Sequence, residues 1–582
     1  MRDEPSRRFG HQVRQLLRQS LPINGLAVLI GIAAGLAAVL FRWFLFGVNN
    51  LFFHQELTLG FIPPLDHGLG WVVILVPAAG GLLVGLITTY LAPETKGHGV
   101  PEAMEAIAMH GGRIRPIVVL AKALASAFCI GTGGSSGREG PIVQMGSASG
   151  SALGQLFGLS SRDVKVLVGC GAAAGITATF NTPLAGVVFA IELILLEFRT
   201  KSFVPLVIAS VVATVISRLV FGSEPAFAIP AYAFAHPVEL VFYLFLGLLA
   251  SGVGVLLIET LYGMEDLFDR WKAHPVIKPI AGGLGLGVIG LAFPEVFGVG
   301  YESVDAILSR NIGEAGLGLV VSLVVLAGVK TLALSLTLGS GGSGGVFAPS
   351  LFIGAALGGA FGVLVNLMFP EVTAPYPAYA LVGMAALFSA ASRATFTSIL
   401  MLFEMTGDYN IILPLMFACV VADVVAWHLY SDTIYTKKLE RRGVHVEHDL
   451  EVNVMRTRFV RDVMITDVQT VPSWMTLRHV RRRILESGHH GFPVVSDSNK
   501  LVGIVTGQDI NDAIRTRRNG RDLPVKEVAH RDLVVGYPDE TLDTVWERMR
   551  TNGVGHLPVV DREDNRRLVG YLTKGDLIGG RT

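Results

Sequence analysis

The chain has 582 residues, too many for one compact domain, so at least two are expected. Hydrophobic residues make up 51% and charged residues 16%, against about 25% charged in ordinary soluble domains, which points to a membrane. Lys plus Arg balance Asp plus Glu at 47 each, so no bulk charge points to nucleic acid, and the three cysteines (Cys129, Cys170, Cys419) offer neither a disulfide framework nor metal-ligand spacing.

Residues 1–24 are polar and basic, with Arg2, Arg7, Arg8, Arg14 and Arg18. The apolar segment that follows is long enough to span a bilayer, so this start does not read as a cleaved signal. Apolar segments then occur near 25–48, 71–91, 116–131, 141–157, 164–198, 203–221, 238–261, 277–293, 316–338, 346–368, 378–404 and 411–430. Crossing takes about 20 residues, and several segments are too short or too broken by Gly and Pro to cross simply. Broken helices at membrane depth are tolerated where the loose backbone is buried or lines a cavity, and paired ones mark the binding site of a transporter. A polytopic α-helical membrane domain over 25–436 is expected. Lys437, Lys438, Arg441 and Arg442 follow the last segment, so both termini are expected in the cytoplasm and the protein in the cell membrane.

Two halves, about 25–225 and 235–430, repeat weakly. Gly171 to Glu192 aligns without gaps to Gly383 to Glu404, with Gly171/Gly383, Ala173/Ala385, Ala174/Ala386, Ala178/Ala390 and Glu192/Glu404 coinciding. GREGP at 137–141 aligns with GVFAP at 345–349, followed by Gly146/Gly354 and Gly150/Gly358. The pattern alone leaves open whether the halves are parallel or inverted. After a linker at 437–457 the composition becomes that of a soluble α/β protein with a clearer repeat, 458–515 and 523–580. Each copy reads helix, strand, polar turn, strand, helix, around GFPVV then GIVTxxD in the first and HLPVV then GYLTxxD in the second.

Four motifs carry chemistry. GTGGSSGREGP at 131–141 enters an apolar helix, and GSGGSGGVFAP at 339–349 enters its repeat counterpart. Glycines allow close backbone approach, and a helix N-terminus supplies unpaired N–H groups and a positive dipole end. Together they form an anion site that needs no fixed cation. Glu139 sits inside the first. A carboxylate at membrane depth is a functional candidate. Ionised, it could occupy the seat a mobile anion wants, and protonation would free the path. The alternative is a structural ion pair with Arg138. The third motif is KGHGVPE at 96–102, and the fourth is Tyr435, just past the last apolar segment.

Taken together and in this order, GREGP, GVFAP, GHGVP and the late tyrosine resemble the anion-selectivity elements of the CLC chloride channel and transporter family over about residues 25–440. The resemblance implies an inverted internal repeat with broken intramembrane helices, and a homodimer in the bilayer with one separate chloride pathway per subunit. It implies Glu139 as the gating glutamate. It places the anion among His98, Gly99, Arg138, Glu139 and Gly140, the backbone amides of Val346 and Phe347, and the hydroxyl of Tyr435.

Two departures bear on mechanism. His98 stands where the family commonly has Ser, and an imidazole donates differently with charge state, which bears on anion preference and pH response. The alternative is a helix-entry histidine facing water. Proton-coupled members usually carry Glu-Glu after the first-half helix, whereas here Glu192 is followed by Leu193, which cannot relay a proton. That favours passive, channel-like conduction. Glu197, one turn beyond and about 6 Å along the helix, leaves an exchanger with another inner route as the rival, with Glu139, Glu192 and Glu197 as its proton-path candidates.

The tail resembles a tandem pair of CBS domains, which implies regulation and an adenine nucleotide (ATP, ADP or AMP) held by Asp509 and Asp576 with Thr506 and Thr573 beside them. The alternative is that these aspartates cap the helices that follow. No cofactor is required for transport itself. A membrane enzyme is disfavoured, since neither a metal motif nor a nucleophile–base pair accompanies Glu139. A nucleotide sensor with a mere membrane anchor would not need two anion-type loops.

Overall fold

The computed structural model describes residues 4–58, 60–66, 68–196, 200–223, 236–310, 313, 315–444, 458–487, 491–498, 500–517, 520–531 and 533–579. The chain divides into two units, Met1–His448 and Asp449–Thr582. The first half of the first unit contains α1 (Glu4–His54), α2 (Leu75–Leu86), α3 (Val100–Met109), α4 (Ile117–Gly131), α5 (Glu139–Leu156), α6 (Ser161–Phe180), α7 (Pro183–Phe189) and α8 (Thr200–Phe221). The second half contains α9 (Glu239–Arg270), α10 (Ile277–Ala292), α11 (Tyr301–Leu308), α12 (Leu317–Gly339), α13 (Phe347–Met368), α14 (Tyr376–Ser392), α15 (Thr395–Thr406), α16 (Ile412–Leu429) and α17 (Thr436–Arg441).

Eight helical segments among the described residues are long and apolar enough to cross a membrane, and α4, α10, α14 and α15 are apolar but shorter. The unit is therefore an integral membrane domain with broken helices. The apolar stretches 164–198 and 378–404 are each two helices, not one. Asn181 (φ 62°) ends α6 and Arg393 (φ 55°) ends α14, both left-handed, and a turn follows before α7 and α15.

Small residues set the packing. Gly146 of α5 meets Gly171 of α6 backbone to backbone, and Gly354 of α13 meets Gly383 of α14 in the same way. A Cβ at any of the four would collide with a main-chain carbonyl. This close approach is how membrane helices gain packing energy where lipid removes the hydrophobic drive. Long apolar side chains such as Leu219 and Leu256 stay exposed on the outer helices, where lipid accepts them.

The two halves contact each other reciprocally. Gly81 abuts the Pro279 carbonyl while Gly283 abuts that of Pro77, and Gly85 abuts Val276 while Gly287 abuts Ile74. The Glu192 carboxylate accepts from the Phe396 and Thr397 amides (3.2 and 2.9 Å) at the start of α15, and the Glu404 carboxylate accepts from the Leu184 and Ala185 amides (3.0 and 2.7 Å) at the start of α7. A contact repeated with its partners exchanged is the signature of a two-fold relation. The aligned glutamates of the sequence repeat are thus cross-caps, each at the other half's helix N-terminus. The fold is an inverted repeat.

The second unit holds β1 (Val471–Pro472), α18 (Leu477–Ser487), β2 (Gly491–Val495), β3 (Leu501–Thr506), α19 (Gly507–Thr516), α20 (Leu542–Thr551), β4 (His556–Val560), β5 (Leu568–Thr573) and α21 (Lys574–Gly579). β2 pairs antiparallel with β3 and parallel with β1, and β4 pairs antiparallel with β5. The copies exchange their leading segments. Val460 packs in the core of the second copy, and Ile465 and Tyr571 exchange backbone hydrogen bonds, whereas Val525 and Ala529 pack in the core of the first and His530 bridges Ile504. The expected limits 458–515 and 523–580 follow the chain, but in space 458–465 lies against the second copy and 523–530 against the first.

Gly171→Leu should fail to give a monodisperse protein in detergent, because the collision is with backbone that no rotamer relieves. Gly252→Ala, at a helical glycine with open space around it, should purify like the parent. Equal size-exclusion profiles for the two variants would show that the glycine seam does not set the fold.

Candidate functional site

The site begins where α5 and α13 start. Gly137 N donates to Gly345 O (2.7 Å) and Gly345 N donates to Gly137 O (2.6 Å), an antiparallel pair joining the two glycine-rich loops. Gly137 also lies against the Ala348 amide and the Pro349 ring, and Gly140 against Gly345, so the two helix N-termini meet at one point. A third loop lies against them. Gly97 N donates to Gly342 O (2.9 Å) and Gly344 N to Gly97 O (3.2 Å). Gly99, at φ +90°, carries the chain into α3 with its Cα hard against the Gly140 carbonyl, and a Cβ on Gly140 would strike the His98 carbonyl.

Two buried lysines hold the frame. Lys122 Nζ donates to Thr95 O (3.0 Å) and Gly97 O (2.7 Å), fixing the loop before α3. Lys330 Nζ donates to Val296 O (3.0 Å) and Gly298 O (3.1 Å), fixing the loop before α11, its counterpart in the second half. Glu102 closes α3 by accepting from Gly99 N (2.9 Å) and pairs with Lys438 Nζ (2.8 Å), which also donates to Lys96 O (3.2 Å). This ties the third motif to α17 and so to Tyr435. The Tyr435 segment is further set by Ile434 N donating to Ala391 O (2.8 Å) and by Tyr262 Oη donating to Ile434 O (2.7 Å).

The outcome is a tightly closed pocket lined by His98, Val100, Glu139, Gly140, Val143, Ile176, Phe189, Val346, Phe347 and Tyr435. Four sequence motifs separated by more than 300 residues meet in it. Val346 and Phe347 stand at the first turn of α13, where no preceding turn supplies acceptors for their amides. His98 is 3% exposed, so it does not face water, and its Nδ1 is buried with no hydrogen-bond partner among the described residues. The Tyr262 ring lies edge-on to it, at 6.1 Å.

Glu139 is 1% exposed. Its Oε1 accepts from the Tyr301 hydroxyl (2.6 Å), while Arg138 Nε stands 3.9 Å away, too far for a hydrogen bond. Oε2 is buried and makes no hydrogen bond among the described residues, with the Ala348 amide close enough to act on it electrostatically. Arg138 and Glu139 thus form a loose ion pair at 3.9 Å, while the hydrogen bond to the carboxylate comes from Tyr301. Arg138 lines a separate vestibule together with Arg42, Asn181, Phe221 and Tyr301. Glu192 is engaged at α15 by two amides and the Thr397 hydroxyl (2.7 Å). Leu193 beside it is buried, and Glu197 lies outside the described residues.

In the tail, Asp509 Oδ2 accepts from Thr506 N and Oγ1 (2.8 and 2.7 Å), and Asp576 Oδ2 from Thr573 N and Oγ1 (2.8 and 2.7 Å), so both aspartates cap their helices. They differ beyond that. Asp509 Oδ1 meets His530 Nε2 at 3.0 Å, and although burial raises its pKa, the bonds from Thr506 and His530 hold it below the usual carboxylate range. Thr573 and Asp576 line a cleft that also includes Phe492, Pro493 and the stacked pair His556 and Tyr571 (6.0 Å).

Glu102, Lys122, Lys330 and Tyr301 were not singled out from the sequence. The Gly–x–x–Glu spacing of a cap at 99–102 was the one available signal. The others are single residues whose partners are remote.

Comparison with known proteins identifies the family and the fold. The family model described as voltage gated chloride channel matches residues 80–427, and the CBS domain model matches 460–516 and 525–580. A ClcB-like chloride channel protein of Ralstonia nicotianae is 37% identical, covering 72% of this chain and 96% of the relative. Chloride channel protein CLC-f of Arabidopsis thaliana is 30% identical over 94% of this chain and 78% of its own length. The H(+)/Cl(-) exchange transporter ClcA of Yersinia pestis is 30% identical over 74% of this chain and 91% of its own. A solved slow cyanobacterial Cl-/H+ antiporter superposes with TM-score 0.64 at 28% identity, covering 72% of this chain and 97% of that one. A eukaryotic CLC transporter shares the fold over 96% of this chain (TM-score 0.62, 20% identity). With its anion-type helix entries, inverted repeat and tandem CBS tail, the chain belongs to the voltage-gated chloride channel (CLC) family.

Proposed function

We propose that this protein conducts chloride passively, through one pathway in each subunit of a homodimer, with Glu139 as the gate and both termini in the cytoplasm. The two converging helix N-termini favour one anion at the cavity. Ionised Glu139 is that anion when the path is shut. Once protonated it has no claim on the seat, and chloride takes its place among the Val346 and Phe347 amides, Tyr435 and His98. The unpartnered, buried Nδ1 of His98 supports its role as a ligand.

The observation that carries the passive reading is Leu193. It is buried beside Glu192, and Glu192 is committed to the α15 N-terminus, so among the described residues the inner position offers a proton no free carboxylate. The rival is exchange by another inner route, favoured by relatives named as H(+)/Cl(-) exchange transporters. In the tail, an adenine nucleotide fits the cleft at Thr573 and Asp576 better than the Thr506 and Asp509 end, where His530 already occupies the carboxylate.

Liposomes loaded with chloride distinguish the two transport readings. Efflux without uphill proton uptake supports conduction, whereas stoichiometric uphill uptake establishes an exchanger. In the same assay Glu139→Gln should raise efflux several-fold at neutral pH and abolish its pH dependence, and unchanged pH-dependent efflux would remove Glu139 from the mechanism. His98→Ser should alter the chloride/nitrate permeability ratio, and an identical ratio would remove His98 from the ligands. Asp576→Ala should weaken ATP binding to the purified full chain by about tenfold or more by calorimetry, the cost of a charge-assisted hydrogen bond, with Asp509→Ala far milder. Equal losses would argue against the assigned end.

A further inference from the structure

We propose that Tyr301 is a positioning residue for the gate, a latch whose hydroxyl holds ionised Glu139 in the shut seat and thereby sets the pH at which the pathway opens. This rests on the reading of Glu139 as the gate. Tyr301 Oη lies 2.6 Å from Glu139 Oε1, a length typical of a hydroxyl donating to a charged carboxylate. The two residues form a wall. Tyr301 lines the vestibule and Glu139 lines the inner cavity, and neither lines the other's space. Weakening that hydrogen bond makes it easier for Glu139 to leave the seat between the two spaces.

The latch is mounted rigidly. Gly298 and Gly300 have φ of +61° and +86°, and Lys330 Nζ holds the Val296 and Gly298 carbonyls from inside. Gly298 N donates to Gly133 O (3.1 Å), which ties this loop to the one that leads into Glu139's own motif. The Arg138 guanidinium sits over the Tyr301 ring at 5.3 Å. The equivalent loop of the first half is built alike, with Lys122 holding the carbonyls of Thr95 and Gly97, but its α3 begins with Val100 where α11 begins with Tyr301. The halves share the mount and differ in the side chain that it presents. Only the second half offers a hydroxyl, and that hydroxyl meets the one carboxylate in the cavity.

Other groups act on this pair from the elements around it. Arg138 precedes α5 and Arg42 comes from α1, His98 and Tyr435 face Glu139 across the cavity, and Glu302 of α11 and Lys330 of α12 bear on the pair only through Arg138. These stay in place in a Tyr301→Phe variant, which deletes one oxygen and keeps the ring beneath Arg138. Without its donor the carboxylate is less well held in ionised form.

The test is chloride efflux from liposomes between pH 4.5 and 8 for the parent, Tyr301→Phe, Glu139→Gln and the double variant. Tyr301→Phe should move the pH of half-activation upward by about one unit, the size expected for one charge-assisted hydrogen bond, and raise efflux about fivefold or more at pH 7.5. In the Glu139→Gln background the same change should do nothing, since the latch acts through Glu139. A Tyr301→Phe profile that superimposes on the parent overturns the latch while leaving the gate. An equal effect in both backgrounds also overturns it, as a merely structural change would behave that way. If Glu139→Gln itself leaves the profile unchanged, the gate reading falls, and the latch with it.

Discussion

Two peptide groups, Gly137 and Gly345, exchange hydrogen bonds at the centre of the membrane unit, and the placement of every other functional group depends on that exchange. It brings two chain segments past each other antiparallel at the start of two helices, where a Cβ on Gly345 would press on the Gly140 amide. The consequence is electrostatic. Two sets of unpaired amides are aimed at one volume in a medium where water cannot answer them. A negative charge is favoured there, and the fold supplies its own in Glu139 while leaving no net cation in the cavity lining.

Around this point the halves are related by a two-fold axis, and the cross-caps Glu192 and Glu404 show how the relation is enforced. Each half ends one of its broken helices only by borrowing a carboxylate from the other. The two halves are thereby locked together at the starts of α7 and α15. The symmetry is broken where the chemistry is. Glu139 aligns with Phe347, and Tyr301 takes the place that Val100 has in the first half. A symmetric frame gives rigidity, and a few unmatched side chains give direction to the pathway.

The tail uses the same economy at smaller scale. Each copy of the pair lends its leading segment to the other, so the copies are interlocked, and their two Thr–x–x–Asp caps are chemically alike but differently surrounded. His530 takes up one carboxylate, while the other borders an open cleft beside His556 and Tyr571. The same Thr–x–x–Asp pattern thus yields two caps, of which one also borders a candidate ligand position.

Those parts of the protein in which backbone conformation is the message are legible in local sequence. The glycine-rich entries at 131–141 and 339–349, the broken apolar segments, the doubled Thr–x–x–Asp hairpins and the weak half-to-half alignment all follow from what glycine, proline and hydropathy allow within a few residues. The cavity membership of His98, Glu139, Val346, Phe347 and Tyr435 was reached through family resemblance, since no local rule brings them together. The partners of each buried group follow from long-range packing alone. Nothing near Tyr301 marks it as the donor to a carboxylate 162 residues away, nothing near Lys122 or Lys330 says which carbonyls each will hold, and Glu192, read from the sequence as a proton-path candidate, is bound by the other half's helix. A charge or hydroxyl at membrane depth must find a partner, but its own sequence records only the need. Which group meets it is set by how the two halves close on each other.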